Sequence, residues 1–165
     1  MARSTLRARG NARPGSGARP APPTPGSRLA WRAAAVVTLA GVGVSGYLLA
    51  TALRGVSPLC LVGTSCGEVA SSPYARFLGL PTAAWGLLLY VTTGGVAAAG
   101  AWRRTVPLLG PLALLGLGAF GATFSGYLMW LQLTVIHALC IWCATSAALW
   151  VALLALAVWV VRSTA

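Results

Sequence analysis

Long uncharged apolar runs, separated by short arginine-bearing gaps, set the plan of this chain. Ala33 to Leu53 is a stretch of 21 residues without a charge. A helix needs roughly 20 apolar residues to cross about 30 Å of hydrocarbon, so this run predicts a first span. A second, about 81–101, lies between Arg76 and the pair Arg103–Arg104. From Val106 to Val161 the chain is uncharged for 56 residues, too many for one crossing. Gln132, Thr134 and His137 are the only polar interruption midway, which divides the run into spans of about 106–130 and 137–161. The pattern predicts an all-α membrane protein, a four-transmembrane-helix bundle spanning 33–161, with an outer loop at 54–80 between helices 1 and 2.

Residues 1–32 read differently. They hold five of the ten prolines, with glycine, alanine and arginine, and bury too little apolar surface to offset the entropy of ordering. This segment is predicted to be a disordered Arg/Pro-rich tail. A cleaved signal peptide is a competing reading of the first apolar run, helped by Ala50-x-Ala52. The run is longer than the roughly 7–15 residues of a signal-peptide core, which favours a retained span.

Composition sharpens this picture. The chain is 58% hydrophobic and 8% charged, against about 25% charged in soluble domains, which excludes a soluble globule. Twelve arginines face one acid, Glu68, for a net charge of +11. Such basicity suggests nucleic acid, but seven of the arginines precede the first span, beside a membrane. They instead fix topology. With the tail cytoplasmic, ten arginines lie inside and only Arg54 and Arg76 outside. The expectation is a plasma-membrane protein with both termini cytoplasmic. Trp31, Trp102 and Trp159 then fall at inner ends of spans and Trp85, Trp130 and Trp142 near outer ends, where amphipathic rings settle. Trp150 is mid-span.

The chain also echoes itself. Ser45-Gly46-Tyr47-Leu48 returns as Ser125-Gly126-Tyr127-Leu128, an offset of 80 that also relates Cys60 to Cys140. A parallel repeat of a two-helix unit and chance matching in a small-residue alphabet both account for it. Two G-x-G-x-x-G matches, at Gly41–Gly46 and Gly116–Gly121, lie inside apolar spans and follow no strand. They are helix-packing glycines, not a dinucleotide site.

This topology puts all four cysteines on the outer face, where disulfides persist. Cys140-Ile141-Trp142-Cys143 is a C-x-x-C at the start of a helix, so both thiols share one face and open or close as a pair. The helix N-terminus favours the Cys140 thiolate, the species that exchanges with disulfides. Two bland alternatives stand beside redox chemistry: structural disulfides, and a four-cysteine zinc site, which an oxidising face disfavours. His137, three residues before Cys140, suits an interfacial histidine, with stabilisation of the thiolate or proton delivery as the functional alternative.

Cys60-x5-Cys66, then Val69, Ser71-Ser72-Pro73-Tyr74-Ala75, Phe77-Leu78-Gly79, Pro81, Gly86 and Tyr90, and finally Cys140-Ile-Trp-Cys143, resemble the vitamin K epoxide reductase family, closest to its bacterial members. The resemblance covers about 33–161. It implies a four-helix bundle around a quinone of menaquinone, ubiquinone or vitamin K type, with a loop cysteine pair and an active-site C-x-x-C. It implies catalytic roles for Cys60, Cys66, Cys140 and Cys143: Cys66 exchanges with a partner, Cys60 passes electrons to Cys140, and Cys143 faces the quinone. Ser72, Thr82, His137 and Trp142 are the quinone-site residues expected on this reading; no metal is. Thr82 stands where some relatives have a quinone-binding asparagine, and Ala147 where animal members have a tyrosine. The function implied is a membrane thiol:quinone oxidoreductase that reoxidises a DsbA-like thioredoxin-fold partner for disulfide formation in exported proteins. Many bacterial relatives carry that partner fused. With no such segment among these 165 residues, a separate extracytoplasmic protein is expected. The alternatives are vitamin K quinone or epoxide reduction proper, and a non-enzymatic membrane protein with structural disulfides.

Overall fold

The computed structural model describes residues 25–60, 65–102 and 109–164. Four helices in it are long and apolar enough to cross a membrane. They are α1 (Pro25–Arg54), α3 (Thr82–Trp102), α4 (Leu109–Leu131, widening into a π-helical turn over Gln132–Ile136) and α5 (Ile141–Thr164). Between α1 and α3 lie a short helix α2 (Cys66–Ser71), a single 3-10 turn at Pro73–Ala75 and a two-stranded hairpin, β1 (Arg76–Phe77) and β2 (Leu80–Pro81). Arg76 pairs with Pro81 and Phe77 with Leu80. Leu78 and Gly79 make the turn with φ of 52° and 82°. Two successive positive φ values match the twist of a tight hairpin.

In α1, small and hydroxyl side chains face inward and large aliphatic ones outward. Ala34, Thr38, Gly41 and Ser45 of α1 are buried, while Val36 and Leu39 are exposed. In lipid there is no hydrophobic drive between helices, so close backbone approach through small residues supplies the contact. The hydroxyls need no outside partner. Thr38 Oγ1 donates to the Ala35 carbonyl at 2.8 Å and Thr93 Oγ1 to that of Leu89 at 2.7 Å.

The sequence echo is also a packing echo. Ala34, Thr38, Gly41 and Ser45 in α1 and Leu114, Gly118, Gly121 and Ser125 in α4 are buried at the same offset of 80. In α3, Tyr90, Thr93, Ala97 and Gly100 are buried, and in α5 so are Trp150, Leu153, Ala157 and Val160, an offset of 60. The offsets differ because the α1–α3 connection carries α2 and the hairpin, whereas only nine residues (132–140) join α4 to α5. A Cβ on Gly41 would overlap the Tyr90 ring and one on Gly121 the Trp150 ring. Those two rings stack on each other, centroids 4.4 Å apart.

Three expectations need correction. The tail was predicted to reach residue 32, yet α1 begins at Pro25 and residues 25–32 are its first turns. Proline suits an opening turn, whose N–H groups lack intrahelical partners, and Ser27, Ala30 and Trp31 are buried between helices. Residues 1–24 of that tail lie outside the described residues. Trp31 is likewise no interfacial ring: it is 1% exposed, seated against Gly100 of α3. Trp102, Trp130 and Trp159 are exposed. The fourth helix starts at Ile141 and not near 137, because the chain turns left-handed at His137 (φ 53°) and runs without helical pairing to Cys140.

Candidate active site

The site forms where α1 and α4 end and α3 and α5 begin. After Arg54 the chain leaves α1 and brings Pro58, Leu59 and Cys60 across the bundle end. Two long-range ties hold it there: the Leu59 N–H donates to Tyr47 Oη at 2.9 Å, and Trp142 Nε1–H donates to the Leu59 carbonyl at 2.8 Å. The rings of Tyr47 and Trp142 themselves touch, with centroids 4.8 Å apart. A third tie runs from the Ser65 N–H to the Leu139 carbonyl at 3.0 Å. The loop is thus fixed on the segment that leads into the C-x-x-C.

Cys60 and Cys66 are joined as a disulfide, with Cα atoms 6.0 Å apart. Cys140 and Cys143 are free thiols. The two partners of the loop disulfide differ in exposure. Cys66, first residue of α2, has no exposed surface, while Cys60 is exposed.

The π turn shapes the other half. It ends with the His137 and Ala138 N–H groups both directed to the Gln132 carbonyl. This closes α4 early and leaves Cys140 immediately before α5, where the Ala144 N–H donates back to its carbonyl at 3.0 Å. Cys140 therefore sits at the N-terminal end of a long helix. The Cys143 thiol beside it, then the Cys143 and Trp142 N–H groups, outweigh burial and pull the Cys140 thiol down to about 6, well below the ordinary thiol value.

Cys66, Cys140 and Cys143 line one cavity of about 340 Å³. Its walls are largely apolar, with Leu48 from α1, Leu128 and Leu131 from α4 and Ile136 from the π turn. Ligand pockets commonly run from about 300 Å³ upward, apolar with a few placed polar groups, so a quinone ring fits in size and in chemistry. Thr82 and Ser72 are on the wall. Their hydroxyls donate to the Tyr74 carbonyl at 3.3 Å and the Val69 carbonyl at 2.8 Å, knitting the loop together.

The other sequence-predicted residues lie elsewhere. Cys60 is on the outer side of its disulfide and is not part of the wall. His137 is exposed, turned away by its left-handed backbone. Trp142 lies outside the wall as well, committed to Leu59 and Tyr47. Gln132, seen in the sequence only as a break between spans, is on the wall and 3% exposed. Its Oε1 accepts the Cys140 N–H at 2.9 Å. The available signal was an amide amid 56 uncharged residues, since a polar side chain is costly at such depth unless it has work to do.

The sequence profile of the Vitamin K epoxide reductase family matches residues 32–158, covering nearly all of the helical bundle.

Proposed function

The chain belongs to the vitamin K epoxide reductase family, and from that premise we propose that it is a thiol:quinone oxidoreductase that reoxidises a DsbA-like thioredoxin-fold partner. Membership makes it a membrane oxidoreductase of a quinone-linked family. The observation that carries the finer reading is the junction itself: a half-exposed disulfide whose buried sulfur shares a cavity with a C-x-x-C.

Burial favours an order of transfer opposite to the one implied by resemblance. A partner protein reaches only the exposed sulfur, so its thiolate attacks Cys60 Sγ, forming the mixed disulfide and releasing the Cys66 thiolate. Cys66, enclosed beside Cys140, then attacks Cys140 Sγ of the oxidised C-x-x-C and expels the Cys143 thiolate toward the cavity. A second partner thiol displaces Cys60 from the mixed disulfide, and Cys60 in turn attacks Cys66, restoring the loop disulfide and leaving two electrons on Cys140 and Cys143. A quinone, when bound, supplies the two-electron sink that lets the Cys140–Cys143 disulfide re-form. Thr82 and the apolar wall would hold its ring, and Cys143 lies on the same wall.

The arginines support placing this end outside. Arg28, Arg32 and Arg162 lie at the opposite end of the bundle, and Arg54 and Arg76 at the cysteine end. Changing the second active-site cysteine of the partner to Ser tests the order. The remaining partner thiolate attacks the intact Cys60–Cys66 disulfide and cannot be displaced by its own second thiol, so the partner is held on Cys60 as a mixed disulfide identifiable by mass spectrometry, whereas capture on Cys66, and none on Cys60, would reverse it.

A further inference from the structure

We infer that the Leu59 side chain is the recognition element for the thiol-bearing partner: it fits an apolar pocket beside the partner's attacking cysteine and sets that cysteine against Cys60. The inference rests on the thiol-exchange reading above and names the contact through which the partner is read.

Leu59 is 80% exposed, the most exposed large apolar side chain among the described residues. Leu29, Val36 and Leu39 are exposed too, but along a spanning helix, where acyl chains cover them. Leu59 lies beyond the end of α1 at Arg54, in a segment without helical pairing that crosses the bundle end. Its backbone is nevertheless fixed. The N–H donates to Tyr47 Oη at 2.9 Å, the carbonyl accepts Trp142 Nε1–H at 2.8 Å, and Pro58 before it is buried. A leucine is thus held outward by a backbone tied on both sides, immediately before the exposed sulfur of Cys60. Its apolar surface gains on leaving water, and little ordering is left to be done when a partner covers it.

The same two bonds exclude one mode of recognition. An extended segment can be read by strand addition, through its backbone N–H and carbonyl groups. The Leu59 N–H is already committed to Tyr47, so at this residue the side chain is what a partner can read. When the partner's thiolate attacks Cys60 Sγ, the new S–S bond forms, the Cys60–Cys66 bond breaks and the electron pair leaves on Cys66. The partner's second thiol then displaces Cys60, so two electrons rest on the loop pair and the partner departs as a disulfide. Leu59, seated one residue from the attacked sulfur, holds the attacking one in reach during the first step. A small dithiol makes the same exchange with no pocket to fill.

The test uses the full chain in lipid nanodiscs with Cys140 and Cys143 changed to Ser, so that the loop disulfide is the sole acceptor. Its reduction is timed by alkylation and mass spectrometry, once with the reduced DsbA-like protein of the capture experiment at sub-saturating concentration and once with dithiothreitol. Leu59→Ser should lower the ratio of the protein rate to the dithiothreitol rate about tenfold, the scale of one lost leucine burial, and Leu59→Met should retain most of it. Leu78→Ser removes a similarly exposed leucine from the hairpin, which packs through Phe77 on α3 and α4, and should keep the unsubstituted ratio. An unchanged ratio in Leu59→Ser, or an equal loss in Leu78→Ser, overturns the inference and leaves the redox reading standing. A loop disulfide that dithiothreitol reduces and the DsbA-like protein does not, with Leu59 in place, overturns both.

Discussion

Trp142, one of the two residues inside the C-x-x-C, donates its indole N–H to the carbonyl of Leu59, the residue before Cys60, at 2.8 Å. The two cysteine pairs are 80 residues apart in the chain, and this bond joins their immediate neighbours. Tyr47 completes the clamp by accepting the Leu59 N–H and packing its ring on Trp142. On the proposed route, in which the loop disulfide passes electrons to the helix-bound pair, a fixed approach is needed, because misplacement by about 1 Å can cost on the order of a hundredfold in rate.

Trp142→Phe keeps an aromatic ring beside Tyr47 and removes the donor. It should cost about 1 kcal/mol of stability. The more telling effect is kinetic: a dithiol added to the fully oxidised chain still reduces Cys60–Cys66 at the normal rate, but electrons reach Cys140–Cys143 more slowly. Alkylation time courses resolved by mass spectrometry check this, and equal delays in both chains would show that the clamp has no part in transfer.

The depressed Cys140 thiol sets a pH dependence. Because its value lies near 6, the thiolate dominates at neutral pH and is lost only as pH falls through that value. The rate of Cys140 modification by a small thiosulfonate reagent should therefore be nearly flat from pH 8 to 7 and fall about tenfold per unit well below 6. A thiol at the ordinary value of about 8.5 would lose most of a factor of ten between pH 8 and 7. That slope, if measured, would contradict the arrangement at the start of α5.

Packing makes a sharp demand at Gly41 and Gly121. Gly41→Val and Gly121→Val would drive a side chain into the Tyr90 and Trp150 rings, separating helices, with a cost of about 3 kcal/mol or more. Gly43→Ala and Gly116→Ala, where an added Cβ meets nothing within 4 Å, should be nearly neutral. Resistance of the folded bundle to denaturing detergent separates the two classes.

Tyr90 also carries a polar test. Its hydroxyl donates to the Ser146 carbonyl at 3.0 Å and lies 3.1 Å from Ser146 Oγ, one turn beyond Cys143. Tyr90→Phe removes these and should destabilise by about 1 kcal/mol while leaving the Cys140–Cys143 potential unchanged. A shifted potential would tie this mid-bundle pair to the redox site.

Much of this was legible in the sequence, for reasons that are physical. Hydrocarbon thickness fixes span length, so uncharged runs alone indicate four helices. The C-x-x-C and the loop cysteines are short patterns tied to one chemistry, and their order with Ser72, Pro81 and Tyr90 was specific enough to point to the family. Trp31 was misread because interface preference is a statistic of ring type, whereas its seat depends on Gly100, 69 residues away. His137 and Trp142 were assigned to the cavity by nearness to Cys140. A left-handed turn and a bond to Leu59 direct them elsewhere, and neither is encoded in spacing. Gln132 was overlooked because its meaning lies in the π turn that brings it against α5.

The central claim is that electrons on Cys140 and Cys143 leave to a quinone seated in the adjoining cavity. The most direct measurement takes the reduced chain with Cys60 and Cys66 changed to Ser, anaerobically and in lipid nanodiscs, and mixes it with a soluble naphthoquinone while quinol absorbance and free thiols are followed together. The account predicts one quinol for each two thiols lost, the loss falling on Cys140 and Cys143, and none in a Cys143→Ser chain. Thiols that stay reduced at Cys140 and Cys143 while the quinone is unchanged would contradict it.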